Sequence, residues 1–149
     1  MRLWIVLVIA TVAASLTLWG CMEMTNASAA EQASVEISCD DFIKSHHISL
    51  SRTIEISVGD SLNVTLCSNP TTGFQWSELA QISDQTLLQQ IDHQFVPPQE
   101  QDVEGAAGKE IWTFNALKKG TSNISMEYSR PWEGGEKGEW TFTLYVVVK

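Results

Sequence analysis

Histidine and cysteine are scarce in this chain of 149 residues, three of each, and helical periodicity is scarcer still. His46, His47 and His93 have neither the spacing of a metal site nor a serine or cysteine partner close in sequence, and they read as surface residues near strand ends. There is no glycine-rich phosphate loop and no nucleophile elbow. The carboxylates Asp40-Asp41 and Glu100, Asp102 and Glu104 fit solvated loops better than a paired acid and base. These absences exclude an enzyme, a metal centre and a bound cofactor. Basic residues are few, with 9 Lys and Arg against 18 Asp and Glu for a net charge of −9, and Lys118-Lys119 precede Gly120 in a turn rather than forming a basic patch. Nucleic acid is therefore excluded as a partner. No segment carries a useful length of amphipathic helix and no internal repeat is visible, so bundles and solenoids are excluded as well.

One long apolar run exists, from Leu3 to Trp19 behind Arg2, too short for a membrane span and typical of an export signal. It ends at Leu18-Trp19-Gly20-Cys21, which resembles the lipobox of bacterial lipoproteins, with Trp19 where that pattern has a small residue. The resemblance implies a signal peptide over residues 1–20, lipid on Cys21, and a membrane-anchored lipoprotein of the bacterial envelope. Residues 21–34 are small and polar without a period and read as a tether. Cleavage after Ala27-Ser28-Ala29, releasing a soluble secreted or periplasmic protein, stays open as the alternative.

From Val35 onward the hydrophobic period is two. Val35 and Ile37, Ile48 and Leu50, Ile54 to Val58, Leu62 to Leu66, Phe74 and Trp76, Trp112 to Ala116, Ile124 to Tyr128 and Trp140 to Val148 alternate with polar residues. Leu87 to Phe95 reads as a weaker strand stopped by Pro97-Pro98. Gly59-Asp60 predicts a hairpin between its flanking strands. The profile is all-β, an antiparallel sandwich of about seven or eight strands over residues 35–149, with the long apolar final strand placed centrally.

If Cys21 takes lipid, Cys39 and Cys67 remain as an even pair. Alternation argues against bridging them. Cys39 shares parity with Val35 and Ile37, whereas Cys67 is opposite to Leu62, Val64 and Leu66, so one side chain faces the core and the other solvent unless a bulge intervenes.

Three loops between strands stand out. Asn69-Pro70-Thr71-Thr72-Gly73-Phe74 is stiff by composition, with an Asx-type anchor, a locked proline and a glycine suited to a positive dihedral, and it puts Thr71 and Thr72 at its tip. Gly105-Ala106-Ala107-Gly108 lets another backbone come close. Arg130-Pro131-Trp132, backed by Gly134-Gly135, places a tryptophan where the core cannot take it, which is the habit of an interface anchor.

Together and in this order the loops resemble the chagasin family of cysteine-peptidase inhibitors, whose signature is an NPTTG-aromatic loop, a GxGG loop and an RPW/F loop on an immunoglobulin-like sandwich. Ala107 stands where that family has glycine. The resemblance implies a monomeric, reversible inhibitor of papain-like cysteine peptidases that enters the active-site cleft as a wedge. Thr71 and Thr72 would then lie over the catalytic cysteine and histidine. The competing reading is an envelope sandwich module that binds a surface protein or glycan through Trp76 and Trp132.

Overall fold

The computed structural model describes residues 30–44, 48–98 and 105–149, without the side chains of 43, 44 and 48–50. The signal segment, Cys21, His46, His47 and the carboxylates of Glu100, Asp102 and Glu104 lie outside the described residues. Among those described, the chain forms β1 (Gln32–Ile37), α1 (Cys39–Lys44), β2 (Ile48–Ile56), β3 (Ser61–Ser68), β4 (Gln75–Trp76), β5 (Gln81–Ile82), β6 (Leu88–Val96), β7 (Gly108–Ala116), β8 (Gly120–Ser129) and β9 (Trp140–Val148). One sheet has the order β1-β3-β7-β6 and the other β2-β9-β8-β4, with β5 also on β8. This is an immunoglobulin-like β-sandwich.

The alternating sets become the core. Leu62, Val64 and Leu66 of β3 and Trp112 and Phe114 of β7 meet Ile124 and Met126 of β8 and Phe142, Leu144 and Val146 of β9, all essentially without solvent exposure. Each such side chain contributes about 1.5–3 kcal/mol relative to leaving it in water. β9 lies between β2 and β8, central as its unbroken apolar character requires. The edge strand β6 carries a register break between Gln90 and Asp92, a bulge that blunts pairing with another chain.

Several expectations need correction. The sheets are mixed, because β1 pairs parallel to β3 and β2 parallel to β9. Gly59-Asp60 turns the chain from one sheet to the other and closes no hairpin, since β2 and β3 belong to different sheets. The alternation around Ile48 and that around Ile54 form one strand, and β1 starts at Gln32, inside the expected tether. Two-residue strands β4 and β5 bring the total among the described residues to nine. The parity argument against a disulfide fails outright, for Cys39 and Cys67 are bridged with their Cα atoms 4.9 Å apart. β1 has ended before Cys39, which opens α1, and the end of β3 buries Leu66, Cys67 and Ser68 in succession beneath its neighbours, so strand parity governs neither cysteine.

α1 forms because Ser38 caps it, its hydroxyl accepting the Asp41 N–H at 3.2 Å, and because Asp40 and Asp41 favour the positive end of a helix. It brings Phe42 to stack on Trp140 at 4.3 Å and to meet Tyr128 edge-on at 5.4 Å. The chain reaches β1 at the other pole. The Glu31 N–H donates to Asp60 Oδ1 at 3.0 Å, and Gln32 pairs with Ser61 at the start of β3. β3 then runs for 8 residues to Ser68, roughly 26 Å at a strand's rise, before the first loop begins.

Candidate functional site

The first loop is held by its own bonds. Asn69 Oδ1 accepts from the Thr71 N–H at 3.2 Å and the Thr71 hydroxyl at 2.6 Å, while the Thr72 hydroxyl donates to the Asn69 carbonyl at 2.7 Å. Pro70–Thr72 make one short 3-10 turn, closed by the Gly73 N–H on the Pro70 carbonyl at 2.9 Å, with Gly73 left-handed at φ 80°. The loop's entry is fixed to the core, for the Asn69 N–H donates to the Tyr128 hydroxyl at 2.9 Å. Thr71 and Thr72 are exposed at the tip, where sequence placed them.

The second loop is tied to the first, since Asn69 Nδ2 donates to the Gly105 carbonyl at 2.8 Å. Its last residue, Gly108, opens β7 and is buried. A β-carbon there would meet the Val96 carbonyl oxygen at 2.4 Å and the Phe95 ring at 2.8 Å, so the close approach sits at Gly108. Ala106 and Ala107 are half-buried.

Trp132, at the tip of the third loop, is 51% exposed. Arg130 lays its guanidinium over Phe74, 4.4 Å from the ring centroid, and lies 5.9 Å from the Trp132 ring. The strand ends are joined behind them by the Arg130 N–H on the Glu136 carbonyl at 2.8 Å and an Arg130–Glu136 ion pair at 3.5 Å. Lys137 Nζ donates to the carbonyls of Arg130 and Trp132. All thirteen expected loop residues, Asn69 through Phe74, Gly105 through Gly108 and Arg130 through Trp132, therefore gather at one end of the sandwich, around the cross-contacts Asn69–Gly105 and Phe74–Arg130.

Sequence reasoning missed the groups that support them. Tyr128 sits under the first loop with Phe74 stacked on it at 5.6 Å. Its position as the last inward residue of a strand leading to a loop was the available signal. Trp76 is 2% exposed and donates its indole N–H to the Cys67 carbonyl at 2.9 Å, so it is a core residue rather than a contact aromatic. His93 lies in the middle of β6, stacked on Trp112 at 4.8 Å and paired with the buried Glu110 carboxylate, so the surface reading fails for it. Among the described residues no group of three His, Cys, Asp or Glu side chains converges to hold a metal ion.

The sandwich thus presents three mutually braced loops from one end. Residues 55–146 match the chagasin family peptidase inhibitor I42, and the chain belongs to that family. It is similar to chagasin of Trypanosoma cruzi, 30% identical over 96 residues that span 63% of this chain and 86% of chagasin. It is also similar to amoebiasin-2 of Entamoeba histolytica, 33% identical over 97 residues, or 65% and 77% of the two chains. Among solved structures, the fold resembles the cysteine protease inhibitor EhICP2 from Entamoeba histolytica with a TM-score of 0.60 at 23% identity, covering 81% of this chain and 100% of that one. It also resembles PbICP-C, solved in complex with falcipain-2, with a TM-score of 0.58 at 17% identity over 78% and 99% of the chains. The family is one of peptidase inhibitors, and the chain is not an enzyme.

Proposed function

We propose that this protein is a reversible inhibitor of papain-like cysteine peptidases, acting as a monomer, and that its three loops block the active-site cleft. The observation that carries the reading is the assembly of the three family motifs at one pole, locked together before any partner arrives. Loops that are already ordered lose little entropy on docking, which favours tight binding across an interface of ordinary size. Thr71 and Thr72, exposed on a turn held by Asn69, are the groups to enter between the catalytic residues, while the Gly105–Gly108 and Arg130–Trp132 loops take the two flanks. No bond in the inhibitor need break. The test is titration of papain with purified protein against a fluorogenic substrate. Tight inhibition with recovery of intact inhibitor is the expected result; its absence with a folded sample moves the assignment to a surface-binding module.

We further propose that the protein is exported and held at a bacterial membrane by lipid on Cys21. The lipobox-like Gly20-Cys21 supports this reading, and so does the direction of β1, which receives the chain at the pole opposite the loops. A tether entering there would hold the sandwich with its loops facing away from the bilayer. Release from membranes by detergent but not by salt, and full solubility of Cys21→Ser, are the expected outcomes.

A further inference from the structure

We infer that Glu110 is a positioning residue for the first loop, clasping both of its stems with one carboxylate oxygen. Glu110 occupies an inward position of β7, between Gly108 and Trp112, and is 4% exposed. A carboxylate in that place must be fully partnered. Its Oε1 accepts from the Ser68 hydroxyl at 2.6 Å and from the Trp76 N–H at 3.4 Å. Ser68 is the last residue of β3, directly before Asn69, and Trp76 lies two residues beyond Phe74, so the two donors are the incoming and outgoing stems of the loop. The other oxygen, Oε2, lies 2.9 Å from His93 Nε2, and His93 is held in turn by stacking on Trp112.

The bonds within Asn69–Gly73 set the shape of the loop, and its attitude relative to its neighbours rests on the Asn69 N–H bond to Tyr128 together with the hold on its two stems. That attitude decides whether Asn69 reaches Gly105 and whether Gly73 meets Trp132. Glu110 supplies that hold, because one of its oxygens takes the Ser68 hydroxyl at 2.6 Å on the incoming stem and the Trp76 N–H on the outgoing one.

The consequence for inhibition rests on the inhibitor reading above, whereas the clasp itself does not. The test compares Ser68→Ala, Glu110→Ala and Glu110→Gln by papain inhibition and by amide hydrogen exchange. Ser68→Ala and Glu110→Ala should each weaken inhibition by about tenfold or more, the scale of a lost hydrogen bond to a charged group. Exchange should quicken at Asn69 and Trp76, whose N–H groups hold the two stems on Tyr128 and Glu110, while Leu66 and Phe114 keep their protection. Glu110→Gln, whose amide oxygen still accepts from both stems, should restore most of the loss. Wild-type loop exchange in folded Ser68→Ala, or a loss shared equally by the core amides, overturns the clasp. If Glu110→Ala does not fold, Ser68→Ala decides. If the wild-type protein fails to inhibit papain, the inhibitor reading falls and the exchange data alone decide the clasp.

Discussion

The ring of Trp132 lies across Gly73, so that a β-carbon built on the glycine would stand 2.7 Å from Trp132 Cη2. The backbone of Gly73 is also left-handed, at φ 80°, a region that costs other residues about 1–2 kcal/mol. Two requirements thus converge on one residue, one from its own turn and one from the third loop. Gly73→Val should flatten the turn and push Trp132 aside, with inhibition of papain weakened by about tenfold or more. Melting should show an intact sandwich, because Gly73 lies in the loop, outside every strand. Normal inhibition by that variant would mean that the first and third loops act independently.

Trp132 itself presents half its surface to solvent from a turn anchored by Arg130, Glu136 and Lys137. A large ring held in place by its neighbours loses little freedom on binding, which is how interface aromatics come to dominate affinity. Trp132→Ala is expected to cost roughly 2 kcal/mol or more of binding, about a 30-fold rise in the inhibition constant, with little change in melting temperature. An unchanged constant would remove Trp132 from the interface.

The parity of Leu62, Val64, Leu66, Trp112, Phe114 and Phe142 was legible in the sequence because each lies within a strand, where side chains can only alternate. The loops were legible because Asn69, Pro70 and Gly73 carry local instructions that the structure follows bond for bond. What sequence could not carry was pairing at a distance. Whether Gly59 closes a hairpin depends on β2 finding β9 instead of β3, and the Cys39–Cys67 bridge depends on α1 folding back onto the end of β3. The same holds for Glu110, whose partners come from β3, β4 and β6, and for His93, whose partners come from β7.

The bridge itself is open to measurement. It joins α1 to the penultimate residue of β3 across a separation of 28 residues, and a loop of that length contributes about 3–4 kcal/mol in the chain-entropy model. The paired substitution of Cys39 and Cys67 by serine should lower stability in urea by that order. The loss should be matched by reduction of the wild-type protein and should not add to it. Because Phe42 sits in α1 against Trp140 and Tyr128, the aromatic near-ultraviolet signal should weaken as well. Identical unfolding curves with and without the bridge would show that α1 is held by packing alone.

Acid should act at the pole away from the loops. Asp60 Oδ2 accepts the Ser57 N–H at 2.7 Å and Oδ1 accepts the Glu31 N–H at 3.0 Å, and these backbone bonds hold its carboxyl below the ordinary value of 3.8. Asp84 is lowered likewise, chiefly by the Thr86 hydroxyl. A carboxyl whose pKa is depressed by folding adds stability that is fully present above the unfolded value and is lost as pH falls through the folded one. Melting temperature should therefore decline as pH drops below about 3.8, where the unfolded chain takes up the proton first. Asp60→Asn should lie below the wild type near neutrality, and the two curves should converge through that acid window; parallel curves would deny Asp60 any share in the acid limb. Above the window the variant should inhibit papain as well as wild type, because the full length of β3 separates Asp60 from Asn69, and whatever loosens where the chain enters the sandwich leaves the loop end braced.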